Sequence, residues 1–407
     1  VQENRRRGRD LPEFELVDAL AEAFAVGCYF DVFVEYAKAA QEDILCCVTA
    51  VNRGPELAPI HILPHLWFRN TWSWGYGRPR PELRAISSDA VHTQARHLGE
   101  RWWYVDGAVP LLFTENETNA QRLFGSPNAT SYVKDGVHEA VVDGLLDRVN
   151  PAHKGSKVAA HFQAVVPPGD AFTVRVRLSD TAREQPFDDF DEILAQRTEE
   201  ADEFYSVVGH AGGRDQRGPD LGEDERRVQR QAFAGLMWTK QFYHYSVELW
   251  LRGDPAQPQP PESRKSGRNA GWSHLYNLDV LSMPDKWEYP WYAAWDLAFH
   301  TVPIALIDPE WAKRQLLLLL REWYMHPNGQ LPAYEWELGD VNPPVHAWAA
   351  WQVYQLTGQA GAASLPGQAD TAWLVRVCCE GADPTAPGDR PGRICRALAR
   401  PSRSPTP

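Results

Sequence analysis

The sequence predicts a multi-domain β + α protein, with an N-terminal antiparallel β-sandwich followed by an array of paired α-helices. Three observations point there. Up to about residue 182, short strand-like runs are bounded by turn residues, and over 172–179 apolar residues recur at every second position. From Glu223 the apolar spacing lengthens to about 3.6 residues. The 407 residues also exceed what one core usually serves.

The strand signal is clearest at residues 172–179. Phe172, Val174, Val176 and Leu178 fall on one face there, and Thr173, Arg175, Arg177 and Ser179 on the other. Residues 31–36 and 44–51 are further strand-like runs, the second closed by the turn sequence Asn52-Arg-Gly-Pro. Short strands with regular turn signals make an antiparallel sandwich over residues 1–182. A charged helix is expected over about 187–206, and a Gly-, Asp- and Arg-rich loop follows, so 183–222 reads as the linker.

In the helical half, Val228, Ala232, Leu236, Tyr243, Val247 and Trp250 recur at helical spacing. Asp308 is a candidate N-cap, with Pro309 at the first helical position. That helix is expected to bury Leu316, Leu319, Leu320 and Trp323 and to stop at His326-Pro-Asn-Gly. Another opens at Pro343-Pro344 and runs to about Leu356. The pattern fails after 357. Residues 358–407 hold three of the six cysteines, six arginines, seven prolines and no lysine. A disordered tail accounts for this composition. A reading-frame error or chimera accounts for it better, because the helical array stops with its aromatic face uncovered.

A net charge of −13 lacks the basic footprint of a nucleic-acid binder. The longest leucine run, Leu316 to Leu320, is far short of the ~20 apolar residues of a membrane span. The expected partner is therefore a small molecule, with no nucleic acid and no membrane; the oligomeric state stays open. Cys46–Cys47 and Cys378–Cys379 are adjacent pairs, and no C-x-x-C spacing occurs. This points to a reducing, cytoplasmic setting, in which the sequons at Asn116 and Asn128 are accidental. No signal peptide is visible, and the chain begins without Met. His61 and His65, four apart in a strand-like run, read as core or surface polar residues rather than metal ligands, and no metal or cofactor is expected.

Eleven of the 17 tryptophans fall between Trp238 and Trp351. They make either a large aromatic core or a pocket whose rings stack on the C–H faces of a ligand. Residues 287–300 concentrate the chemistry. On a helix after Pro290, Asp296 shares a face with Tyr292, Phe299 and His300, with Trp291 and Trp295 beside it. A carboxyl group among rings loses hydration, which favours the protonated form that a general acid requires. The same position suits an acidic residue that simply faces the helix N-terminus. Residues 329–344 form an interhelical segment in which Glu335, Glu337, Asp340 and Asn342 can bond hydroxyl groups or, for the last two, cap a helix. Residues 67–75, with three tryptophans and an arginine, and the polar run 114–119 form either a pocket rim or a domain interface.

Residues 287–349 resemble glycoside hydrolase family 63, in particular its bacterial glucosidase-like and mannosylglycerate-hydrolase-like members. The motifs are Trp-Asp-Leu-Ala-Phe-His at 295–300, Gly-Gln-Leu-Pro-Ala-Tyr-Glu-Trp-Glu at 329–337 and Gly-Asp-Val-Asn-Pro-Pro-Val-His-Ala-Trp at 339–348. Residues 29–38 and 111–119 look like the β-domain that precedes the catalytic domain in long bacterial relatives, so the resemblance spans about 1–357. It implies a β-sandwich followed by an (α/α)6 toroid, incomplete here over 223–357, and inverting hydrolysis of an O-glycosidic bond in a small glucoside, mannoside or oligosaccharide. Asp296 takes the acid role by this resemblance. Trp295, His300, Tyr334, Trp336, Asp340 and Asn342 line the sugar pocket. The family's general base lies in later helices, beyond where this sequence follows the pattern, so the polypeptide alone is expected to be inactive. Competing expectations are a toroid hydrolase of trehalase or glucoamylase type, a non-catalytic carbohydrate-binding fragment, and a structural helical array.

Overall fold

The computed structural model describes residues 2–9, 11–208, 221–267, 270–284, 291, 293–331 and 345–358. Two compact units divide the chain, Val1–Glu200 and Ala201–Pro407.

The first unit is built from antiparallel strands: β1 (Phe30–Ala40), β2 (Asp43–Asn52), β3 (Ala58–Ile62), β4 (His65–Trp67), β5 (Leu83–Ala85), β6 (Ala90–Ala95), β7 (Gly99–Val105), β8 (Leu111–Thr114), β9 (Lys154–Gly155), β10 (Lys157–Ala160), β11 (Phe162–Val166) and β12 (Ala171–Ser179). Short helices α1 (Gln2–Arg7), α2 (Leu16–Ala19) and α3 (Ala21–Ala25) precede them, and α4 (Ala120–Phe124) and α5 (Gly136–Val142) interrupt them. Among the described residues, seven strands pair in the order β1-β2-β12-β7-β6-β5-β9, three as β4-β10-β8, and two as β11-β3.

The sheets share one core. Val48, Val91, Trp103, Val174 and Val176 of the large sheet pack with Phe113, Val158 and Ala160 of the three-stranded one. This layered packing is what period-two alternation produces when each sheet has one apolar face. Gly155 sits where a Cβ would lie 2.3 Å from the Thr114 carbonyl oxygen, so the β8–β9 approach requires glycine.

The alternation along β12 holds for Val174 and Val176, but the opposite face is not solvated throughout. Arg177 is 0% exposed. Helix α6 (Phe190–Val208), the expected charged helix, sets Phe190 against Ala37, Leu45 and Cys47 on that outer face. Arg177 is thus sealed in. Its guanidinium donates through Nε and Nη2 to both Asp43 oxygens, at 2.8 and 2.7 Å, and through Nη1 to the Pro186 carbonyl at 2.8 Å and to Asp189 at 2.5 Å.

The second unit holds α7 (Glu223–Trp238), β13 (Lys240–Ser246), α8 (Val247–Arg252), β14 (Tyr276–Ser282), α9 (Ala294–Ile304), α10 (Pro309–Leu318) and α11 (Val345–Gly358). It departs from the expected all-helical array at a pair of strands, and α10 ends at Leu318 rather than at His326. Tyr243, placed on a helical stripe by its spacing, lies on strand β13, which pairs antiparallel with β14 from Lys240↔Ser282 to Ser246↔Tyr276. Aromatic-rich Lys-Gln-Phe-Tyr-His-Tyr suits a pleated surface better than a helix. Helices α9, α10 and α11 share a core of Ala298, Ile304, Ala312, Leu316, Ala349, Ala350 and Val353. Asp308 caps α10 as its sequence predicts, accepting from the Trp311 N–H at 3.0 Å, with Pro309 at the helix start. Leu316 and Leu319 are buried; Leu320 is half-buried and Trp323 exposed.

Candidate active site

Helix α9 mounts the site. Ala294, Leu297, Ala298, Thr301 and Ile304 make its buried stripe, at the spacing of a helix with one face in a core. Ala294 and Leu297 pack with Leu281 of β14 and with Leu319 and Tyr324, while Ala298 and Ile304 face α10 and α11. The Tyr324 hydroxyl donates to Asp279 at 2.9 Å. The helix begins at Ala294 rather than just after Pro290, and Tyr292 lies outside the described residues.

The other face carries the candidate residues. Trp295 and Phe299 are 41% and 46% exposed. Their rings meet edge to face with centroids 6.5 Å apart, and Phe299 meets Trp348 of α11 at 5.3 Å. Asp296 and His300, one turn apart, are half-buried. Asp296 sits in the first turn of α9, whose N-cap is Ala293 with no side-chain cap bond. The His300 Nδ1 lies 2.7 Å from the Ser282 hydroxyl, which is 2.7 Å from the Thr239 hydroxyl, which donates to the Leu236 carbonyl at 2.5 Å. Burial pushes the His300 imidazole pKa down, and the Asp296 carboxylate opposes that shift.

His346, in the first turn of α11, has both ring nitrogens buried without a hydrogen-bond partner. Burial pushes its pKa down to about 4, and the Leu316 backbone offsets this only in part.

Asp296, Trp295 and His300 are therefore brought together on one helix. Tyr334, Trp336, Asp340 and Asn342, with Glu335 and Glu337, lie outside the described residues. The turn leading to them is described: Gly329 has φ +85°, and the His326 N–H donates to the Gln330 carbonyl. In the first unit, the Trp72 indole N–H donates to Glu117 at 2.9 Å, and Arg69 lies 5.2 Å from the Trp74 ring centre. His61 Nδ1 lies 2.8 Å from His161 Nε2. Among the described residues no group of three or more His, Cys, Asp and Glu is placed to hold a metal ion. Sequence reasoning missed Ser282 and Thr239. They stand 43 residues apart and meet only because β13 pairs with β14.

Residues 289–376, which include the α9 site, match a family described as mannosylglycerate hydrolase MGH1-like glycoside hydrolase domain. The chain is 41% identical over 402 residues to the uncharacterized protein YMR196W of Saccharomyces cerevisiae, covering 88% of this chain and 36% of that one. The chain thus spans about a third of the length of its yeast relative. Among solved structures, the polysaccharide lyase BACCELL_00875 aligns with a TM-score of 0.23 and 8% identity, over 86% of this chain and 55% of that one. Among the described residues no helix is long and apolar enough to cross a membrane. The α9 segment, with Trp295, Asp296 and His300, therefore falls within a stretch that matches a glycoside hydrolase domain.

Proposed function

We propose that this chain carries the proton-donor half of an inverting glycoside hydrolase site, with Asp296 as the general acid. The substrate is a small glucoside or mannoside, mannosylglycerate among the candidates, or an oligosaccharide. One observation carries the reading: a half-buried carboxyl group beside the accessible rings of Trp295, Phe299 and Trp348, within a glycoside hydrolase domain match. Exposed rings stack on the apolar faces of sugars, and Asp296 next to them protonates the leaving oxygen. Tyr334, Trp336, Asp340 and Asn342 complete the sugar contacts in this reading, residues 1–182 form the preceding β-domain, and 223–357 open a toroid.

Inversion needs a second carboxylate across the sugar ring to activate water. None is assigned among the described residues, and turnover measurements test whether the chain supplies one. Titration with methyl α-D-mannopyranoside, methyl α-D-glucopyranoside and mannosylglycerate, followed by tryptophan fluorescence, tests the site. At least one sugar should change the emission, and Trp295→Ala should abolish the change. No response to any of them would remove the sugar site. Aryl glycoside turnover that Asp296→Asn abolishes would show that the chain also contains the base.

A further inference from the structure

Three contacts behind His300 fix which way its protons point. The Thr239 hydroxyl has one hydrogen, and the Leu236 carbonyl oxygen 2.5 Å away can only accept it. The carbonyl also takes the Thr239 backbone N–H, and it belongs to the last turn of α7, the negative end of that helix. The Thr239 proton is thereby committed. The Ser282–Thr239 contact of 2.7 Å must then be a bond that Ser282 donates. Ser282 has no second hydrogen to offer, so its 2.7 Å contact with His300 requires a proton on Nδ1. The opposite arrangement would leave two hydroxyl oxygens 2.7 Å apart with no hydrogen between them. Ser282 is fully buried, so water does not relieve that conflict.

We propose that Thr239 and Ser282 hold His300 as the neutral Nδ1–H tautomer, making Nε2 a hydrogen-bond acceptor for a ligand hydroxyl. Among the described residues no other hydrogen bond engages the ring. Burial opposes the doubly protonated form, so the acceptor persists at neutral pH. A bare Nε2 lone pair attracts a hydroxyl hydrogen and repels a carboxylate. The group seated at this position is therefore a neutral polyol hydroxyl, and any anionic part of the substrate lies elsewhere. This assignment rests on the sugar-site reading of α9, but the tautomer does not. Thr239 and Ser282 act as positioning residues.

The test uses the full chain with 15N-labelled histidine, the His300 signal being assigned by its loss in His300→Gln. Long-range 1H–15N correlations should show Nδ1–H in the parent chain. Thr239→Val leaves Ser282 beside the ring but frees its proton to turn toward Nδ1, so the tautomer should flip to Nε2–H; Thr239→Ser should keep Nδ1–H. A purely packing role predicts no flip. Methyl α-D-mannopyranoside or methyl α-D-glucopyranoside should shift the Nε2 resonance, sodium D-glycerate should not, and Thr239→Val should weaken the neutral sugar by roughly tenfold, the loss of one hydrogen bond. An Nε2–H parent overturns the relay whatever the sugars do. A perturbation by glycerate alone overturns the hydroxyl assignment. An Nδ1–H parent that no sugar perturbs leaves the relay intact and overturns the sugar-site reading on which the hydroxyl rests.

Discussion

Replacing Arg177 with Met tests what holds β12, the start of β2 and the segment leading into α6 together. Arg177 is fully buried and bonds both oxygens of Asp43, whose side chain is itself only 3% exposed, and it also reaches Asp189 and the Pro186 carbonyl. Methionine fills similar volume but leaves the Asp43 carboxylate in the interior with one of its two cations gone. Removing one partner of a buried ion pair costs about 3–5 kcal/mol, mostly the penalty of the stranded charge. Arg183 remains 2.6 Å from Asp43, which places the expected loss near the low end, about 3 kcal/mol. For a unit of this size that lowers Tm by roughly 6–12 °C. Urea unfolding followed by far-UV circular dichroism reads the change in the first unit's transition. The double replacement Arg177→Met with Asp43→Leu should recover most of the loss, because no charge is then left stranded. A single-variant loss below about 1 kcal/mol would refute the argument that burial, rather than the pairing itself, sets the cost.

Two smaller perturbations concern the second unit, and the same salt-bridge network adds a pH effect. The His346 ring nitrogens are buried and its pKa is pushed down to about 4, so the unfolded chain takes up the proton first. Stability should therefore fall by about 1.4 kcal/mol per pH unit as pH drops from about 6.5 toward 4. His346→Leu should remove that slope from the second-unit transition in urea melts at pH 7 and pH 5. Asp308→Ala removes the cap of α10 and its 3.3 Å pairing with Lys240, and should cost about 1 kcal/mol, with Asp308→Ser restoring most of it in thermal melts. The Arg177 guanidinium holds the Asp189 pKa below the usual carboxylate range. That contribution is present above about pH 4 and lost as pH falls through the folded value, so the first unit should lose stability on acidification more steeply in the parent chain than in Asp189→Asn.

The fold was legible where one periodicity dominated. Strand β12 follows from its alternation, β1 and β2 from strand-like runs, and α10 from Asp308-Pro309, because these signals depend only on local backbone geometry. Arg177 was not legible as a buried residue. It occupies the polar phase of β12, and only the arrival of Phe190 on that side covers it. Tyr243 was misplaced for a related reason: positions 243 and 247 are four apart, which satisfies a helix and a strand alike, and the pairing of β13 with β14 decides between them. Asp296 and His300 were legible because both lie on one helix at i and i+4. Ser282 and Thr239 carry no sequence signal, since a hydroxyl residue becomes a positioning group only when tertiary pairing brings its partner within reach.

The mounting of α9 explains why one face of this helix stays accessible. Its buried stripe uses alanine at 294 and 298 and threonine at 301, small side chains that let β14, α10 and α11 approach closely. Two clusters grip the stripe from different sides, one through Leu281, Leu319 and Tyr324, the other through Leu316, Ala349 and Val353. With that face occupied along the helix, Asp296, Phe299 and His300 lie outside the buried stripe, and Phe299 meets Trp348 of α11 instead. His300 is also anchored through its ring nitrogen, 2.7 Å from the Ser282 hydroxyl, and in the proposed relay its proton placement depends on two hydroxyl groups. Enlarging Ala298 would push α9 away from Ala349 and Ala350 and separate His300 from Ser282 as a consequence, coupling the core of the second unit to the hydrogen-bonding state of its site.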